Sequence, residues 1–156
     1  MQLYLNYHHR AFVFTWEMLM AMGRPAYVEL WNDKEGALLF VPRRSWTKGS
    51  ACWKIPDKVY ESGMAYAVGN GSPFSRLLAE EIGEDNPAVV NVEPFDADSL
   101  PDAAFRGGRK PAGSVMRADL KSMETVFYTE ELDKVYAPDA PRGCFLGGNK
   151  RVYLGQ

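Results

Sequence analysis

Residues 11–44 read AFVFTWEMLMAMGRPAYVELWNDKEGALLFVPRR, and this stretch decides the fold. Its first four residues are apolar and predict a strand. Thr15 is suited to cap a helix over residues 16–22, because a threonine hydroxyl can accept a hydrogen bond from a free N–H of the first helical turn. Gly23 and Pro25 can end this helix. We therefore expect a strand followed at once by a short helix.

The second half of the same stretch predicts a β-hairpin. Residues 27–44 alternate between apolar and polar side chains on either side of a polar turn at residues 32–36. Together with the strand and helix before it, the hairpin makes a β-α-β-β unit, which we assign to residues 1–44. So few residues cannot close a core alone. The unit must pack on the rest of the chain or on a second copy of itself.

The rest of the chain, residues 45–156, is expected to form a second mixed α/β module, with a Pro/Gly-rich loop at about 85–113. The fold class is therefore α+β, in which the N-terminal β-α-β-β unit packs with a second mixed segment that ends in a β-hairpin. The elements predicted in this second module are a strand from residue 53 that stops at Pro56, a turn or short helix from Asp57, strands at residues 66–68, 88–92, 115–120 and 125–128, helices at residues 74–82 and after Thr129, and a closing hairpin at residues 144–154.

Composition and length indicate a folded protein of ordinary domain size. The 156 residues are 46% hydrophobic and 13% aromatic, which is enough for a packed interior. No apolar run approaches the roughly 18 residues that would cross a bilayer, and the N-terminus lacks a secretory pattern. Cys52 and Cys144 form no CxxC pair and are expected to be reduced thiols. These features predict a cytoplasmic protein with no membrane partner.

Charge is distributed unevenly along the chain. Residues 1–60 carry 8 basic and 5 acidic side chains, residues 61–104 carry 1 and 9, and residues 105–156 carry 9 and 6. The basic clusters near the start could meet nucleic-acid phosphates. The alternative is that such clusters are solvated strand edges that prevent edge-to-edge pairing.

Catalytic, metal and cofactor sites are not expected. His8 and His9 are adjacent, so on a strand they would face opposite ways and only one could enter a site. Cys144 has no identifiable base beside it. The glycine-containing turn at residues 69–72 lacks the lysine of a P-loop and the GxGxxG spacing. An enzyme is the least favoured class of function.

Four tryptophans lie among the basic residues of the first third of the chain, at positions 16, 31, 46 and 53. Interleaved aromatic and basic side chains can stack on single-stranded bases. We expect Trp46 and Trp53 to be partly exposed. Trp16 and Trp31 are expected to belong to the hydrophobic surface through which the first module packs or dimerises.

The order of elements in residues 11–43 resembles the swapped-hairpin DNA-binding domain of AbrB-type regulators. That family has a strand, a short helix and then a strand pair, and the resemblance covers about a quarter of this chain. The glycine-arginine-strand-isoleucine-proline opening of the family is absent before the helix. The resemblance implies two chains that interleave their hairpins, with basic residues lying along DNA. The residues it nominates for DNA contact are Arg10, Arg24, Arg43 and Arg44.

Two classes of function follow from these observations. The first is a small DNA-binding transcription regulator that acts as a homodimer. The alternative is a protein-interaction module, such as an adaptor or a phage-type inhibitor of a host nucleic-acid-processing protein, which would dock a basic partner. The residues expected to contact a protein partner are Trp16, Met20, Glu80 and Glu81.

Overall fold

The computed structural model describes residues 1–6, 11–32, 37–46, 51–63, 65–68, 88–100, 104–105, 110–125, 144–146 and 150–152. The predicted helices at residues 74–82 and after Thr129 lie outside these ranges, as does the glycine-containing turn at residues 69–72. The described strands are β1 (Gln2–Asn6), β2 (Ala11–Phe14), β3 (Tyr27–Asn32), β4 (Leu38–Arg43), β5 (Ala51–Lys54), β6 (Ala65–Val68), β7 (Ala88–Phe95), β8 (Val115–Thr125), β9 (Cys144–Leu146) and β10 (Lys150–Val152). The described helices are α1 (Trp16–Ala21), α2 (Asp57–Ser62) and a 3-10 turn at Ala97–Ser99.

The ten described strands form one sheet in the order β10-β9-β6-β2-β1-β7-β8-β4-β3-β5. Neighbouring strands are antiparallel except for β6 and β9, which are parallel. A mostly antiparallel sheet with short helices agrees with the α+β class at its coarsest level. None of the helices in the described part of the chain is long and apolar enough to cross a membrane.

The helix predicted after the first strand is present and is capped as expected. The Thr15 hydroxyl oxygen accepts a hydrogen bond from the backbone N–H of Met18 at 3.2 Å. The same hydroxyl donates to the carbonyl of Gln2 at 2.9 Å, which fixes the start of α1 against β1. The helix ends at Ala21 with Met22 as its C-cap, and Gly23 follows with a φ of 91°, which glycine adopts without strain.

The β3–β4 hairpin forms with the predicted bounds but does not lie next to β2. Strands β1, β7 and β8 separate β2 from β4 in the sheet. Strand β1 was not predicted from the sequence. It pairs with β2 on one side and with β7 on the other. The elements of residues 1–44 are thus joined to one another through strands from later in the chain.

Strands β7 and β8 are longer than their patterns predict. β7 continues past residue 92 to Phe95, and β8 continues past residue 120 to Thr125. The strand predicted at residues 125–128 lies, after Thr125, outside the described residues. The two strands pair with each other from Ala88 opposite Thr125 to Phe95 opposite Val115, with a register shift near Val89. Each strand therefore extends because its partner satisfies its backbone hydrogen bonds.

Apolar clusters cover both faces of the β3–β4 hairpin. On one face, Val28, Leu30 and Phe40 join the larger core, which also holds the buried residues of α1 and α2. On the other face, Leu39 and Val41 pack in a smaller cluster with Leu100, Ala104 and Val115. The hairpin is therefore buried on both sides, and exposed residues occur in the segments that precede β3 and follow β4.

Candidate nucleic-acid interface

The candidate site is the end of the sheet where β3 begins and β4 and β5 finish. Tyr27, the first residue of β3, lies opposite Arg43 of β4 and opposite Lys54 of β5. The segment before β3 and the segments after β4 and β5 therefore leave the sheet at the same end. The register of three strands thus brings together residues that are up to thirty positions apart in sequence.

We call the exposed basic and aromatic residues at this end the strand-end surface. Residues 110–113 join it, because the Ala112 N–H donates to the carbonyl of Pro42 at 2.9 Å. Helix α2 begins just after Lys54, and its Tyr60 packs on the segment before β3. The members of the strand-end surface, all exposed, are Arg24, Arg44, Trp46, Lys54, Lys58 and Lys110.

Exposed acidic residues lie both on α2 and in the turn that follows β7. On α2, Asp57 and Glu61 are exposed beside Lys58, so this helix carries two acidic side chains and one basic side chain at these positions. The exposed Asp96 and Asp98 belong to the 3-10 turn, whose Ala97 packs on the smaller cluster on the opposite face of the sheet. Lys54 lies on the same face as this turn, because it is opposite Tyr27 and Tyr27 is opposite Arg43, whereas Arg24 and Lys58 lie on the side of the helices.

Arg24 has the most constrained position on the strand-end surface. It is the only non-glycine residue with a positive φ, 54°, in the part of the chain that the structure describes. Its N–H donates to the carbonyl of Leu19 at 3.0 Å, which closes the C-terminal turn of α1. A side chain in this conformation costs roughly 1 kcal/mol or more. Arg24 therefore keeps an unfavourable backbone conformation at a position where its charged side chain is exposed.

Tyr60 holds the guanidinium of Arg24 in place. The guanidinium carbon of Arg24 lies 5.1 Å from the centroid of the Tyr60 ring, which is a cation–π contact. The Tyr60 hydroxyl donates to the carbonyl of Pro25 at 2.6 Å. Burial raises the pKa of Tyr60 above its ordinary value of 10.0, Arg24 opposes this shift and Asp57 adds to it. The phenol therefore stays protonated and remains a hydrogen-bond donor at neutral pH.

Arg43 is placed inside the protein and not on the strand-end surface. It is only 3% exposed. Its guanidinium donates to the Glu29 carboxylate at 3.2 Å and to the carbonyl of Ala104 at 2.6 Å. Trp31 Nε1 also donates to Glu29. A guanidinium buried in this way cannot contact a phosphate, so Arg43 is not a member of the strand-end surface.

The other predicted nucleic-acid contacts divide between exposed residues and residues outside the described ranges. Arg24 and Arg44 are exposed at the same end of the sheet. Arg10 lies outside the described residues. Lys54, Lys58 and Lys110 were not predicted as nucleic-acid contacts, since all three lie outside the first module, to which the AbrB-type resemblance applies. The hairpin register would have indicated Lys54 if the position of β5 beside β3 had been known.

The residues predicted to contact a protein partner are in part core residues. Met20 is half-buried and packs against the larger core cluster, and Trp16 is also half-buried. The exposed positions of α1 are Glu17 and Ala21. Glu80 and Glu81 lie outside the described residues. The methionine-rich side of α1, with Met18 and Met22 fully buried, faces the interior of this chain.

Within the described ranges, no group of three or more His, Cys, Asp or Glu side chains is arranged to hold a metal ion. His8 and His9 lie outside those ranges. Cys52, in β5, is not part of a disulfide, and Cys144 begins β9. A comparison of the chain with protein-family models, curated proteins and solved structures found no match.

Proposed function

We propose that this chain is a small nucleic-acid-binding regulatory protein that contacts phosphates through the strand-end surface. The observation that supports this proposal most directly is the register that places Tyr27 between Arg43 and Lys54, because it gathers separate basic segments at one end of the sheet. Lys and Arg contacts to phosphates supply most of the affinity in sequence-independent nucleic-acid binding. Exposed basic residues beside an exposed aromatic side chain are typical of such surfaces.

The basic residues have different parts in this proposal. Arg24 is held over Tyr60, so its guanidinium loses little freedom when it meets a phosphate. Arg44 follows the end of β4 and Lys54 ends β5, the two strands on either side of β3, and both residues are exposed charges. Lys58 and Lys110 broaden the positive field on either side. Binding through these residues is electrostatic and therefore weakens as salt is raised.

The specific form of the proposal is a DNA-binding transcription regulator that acts as a cytoplasmic homodimer. Its support is the element order of residues 11–43, which resembles AbrB-type domains. The alternative is a protein-interaction module. The exposed Asp96 and Asp98 of the 3-10 turn favour a basic protein as the partner in that case.

The experiment that tests the proposal is fluorescence anisotropy of labelled nucleic acid with the wild-type protein and two variants at low salt. The double variant Arg44→Ala/Lys54→Ala removes two charges from the strand-end surface. The control Lys121→Ala removes an exposed charge from the other end of the sheet, since Ala118 of β8 already lies opposite Leu38 at the start of β4.

We expect the double variant to bind about tenfold more weakly or worse and Lys121→Ala to bind like wild type. Size-exclusion chromatography of the same samples reports whether the oligomeric state is unchanged. Equal affinities for all three proteins would contradict the assignment of this surface. Absence of binding by wild type would contradict the function itself and favour a protein partner.

A further inference from the structure

We propose that Trp46 stacks on an unpaired base, so that the ligand of the strand-end surface is a single-stranded nucleic acid. This inference rests on the proposed binding of nucleic acid by the strand-end surface, and it names a single strand as the ligand in place of the duplex that an AbrB-type regulator would bind. Trp46 is 56% exposed and is the only large hydrophobic side chain so exposed in the part of the chain that the structure describes. An indole ring that folding leaves in water is available to a base.

The other tryptophans are engaged within the protein. Trp31 packs on the smaller cluster, and its Nε1 donates to Glu29. Trp53 packs on the larger core, with its ring 6.3 Å from that of Phe14. Trp16 is half-buried at the start of α1. Of the four, Trp46 alone combines high exposure with a place on the strand-end surface.

The position of Trp46 suits a combined base and phosphate contact. It lies two residues after the exposed Arg44 and three after the end of β4. Binding sites for single strands pair an aromatic ring, which stacks on a base, with basic groups that follow the backbone. Stacking of this kind tolerates every base, because every base has a π-face. A duplex keeps its bases stacked on one another and offers no such face except at its ends.

The strand-end surface also lacks, among its described residues, an element that could read a duplex groove. A major groove admits an α-helix or a two-stranded β-ribbon. Helices α1 and α2 have six residues each, and each turns buried side chains toward the core. The β3–β4 pair is no free ribbon, because β5 and β8 pair with its outer edges. These features favour a single strand over a duplex.

The test compares labelled oligothymidylate, oligouridylate and a DNA duplex of the same length, with wild type, Trp46→Ala and Trp46→Phe. We expect wild type to bind at least one of the single strands about tenfold more tightly than the duplex. Trp46→Ala is expected to lose about tenfold for single strands and nothing for the duplex, whereas Trp46→Phe retains most of the affinity. Thermal melting of each variant checks that it is folded.

The outcomes separate this inference from the proposed function. Preference for the duplex, or equal single-strand affinities of wild type and Trp46→Ala, would overturn the stacking role while leaving nucleic-acid binding in place. Failure of wild type to bind either form at low salt would overturn both. Stronger binding of the uridylate than of the thymidylate would identify RNA as the single strand, and the reverse would identify DNA.

Discussion

Glu29 and Arg43 form an ion pair inside the protein, with 3.2 Å between the carboxylate Oε1 and the guanidinium Nη2. They sit diagonally across the β3–β4 hairpin, since Glu29 lies opposite Val41 and Arg43 lies opposite Tyr27. The pair is surrounded by the smaller apolar cluster, and Arg43 also bonds to the carbonyl of Ala104. Arg43 therefore links the segment around Ala104 to the sheet.

We expect Arg43→Ala to lower the free energy of unfolding by about 3–5 kcal/mol, because it leaves the Glu29 carboxylate buried without its counter-charge. Urea denaturation measures this loss. The matched control is Glu93→Ala, which breaks the ion pair of Arg117 with a largely exposed carboxylate. That control is expected to cost at most about 1 kcal/mol. Equal losses in the two variants would contradict the structural role assigned to Arg43.

Position 113 is expected to accommodate no residue other than glycine. A Cβ atom at this position would lie 2.1 Å from the carbonyl oxygen of Met22, at the end of α1. Gly113→Ala must therefore shift one backbone segment and is expected to destabilise the protein by about 1–3 kcal/mol. Urea denaturation and the circular-dichroism spectrum of the variant would show this.

Gly23→Ala is the comparison for that variant. Its Cβ would meet nothing closer than 4.0 Å, but its φ of 91° strains an alanine. The fall in stability at Gly23 then reports conformational strain, and the fall at Gly113 reports overlap with the backbone. Wild-type stability of Gly113→Ala would show that α1 does not approach residue 113 as described.

Arg24 is predicted to lower the free energy of unfolding through its positive φ and to strengthen nucleic-acid binding through its charge. Arg24→Gly removes the charge and also the strain of the positive φ, whereas Arg24→Ala removes the charge and keeps the strain. We expect the glycine variant to be about 1 kcal/mol more stable than the alanine variant by urea denaturation. Both are expected to bind nucleic acid equally weakly. Wild-type affinity of either variant would exclude Arg24 from the interface.

The stability of the protein is predicted to depend on Tyr60 at alkaline pH. Burial raises the pKa of Tyr60 in the folded state above its ordinary value of 10.0. The stabilisation that this residue supplies is therefore complete below about pH 10 and is lost as pH rises toward the folded-state pKa. The unfolding free energy of wild type should fall more steeply above pH 10 than that of Tyr60→Phe. Parallel pH profiles would contradict the burial of this phenol.

Local chemistry was enough to predict the first helix and the hairpin. The Thr15 cap and the alternation on both sides of the turn at residues 32–36 act within a few residues, so the sequence displays them directly. Strand β1 was not predicted because its five residues are held in a strand only by pairing with β2 and β7. The predicted end of β8 at residue 120 was too early for the same reason, as the added length pairs with β7.

The candidate site was predictable in part. Arg24 and Arg44 were named from the AbrB-type resemblance, and both are exposed. Arg43 was grouped with Arg44, yet adjacent strand residues face opposite ways, and Arg43 shares the face of Leu39 and Val41. The presence of Glu29 among the apolar residues of β3 is the signal that could have identified a buried partner for Arg43. The contributions of Lys54 and Lys110 depend on long-range packing that no local pattern shows.

The most direct test of the central claim is the salt dependence of oligothymidylate binding, measured by fluorescence anisotropy for wild type and for Arg44→Ala/Lys54→Ala. We predict saturable binding by wild type, with an affinity that falls linearly on logarithmic axes as salt is raised. Loss of two phosphate contacts should reduce the slope by about 1.4 in the double variant. Binding that is absent at low salt, or a slope that the double variant leaves unchanged, would contradict the claim that the strand-end surface meets nucleic-acid phosphates.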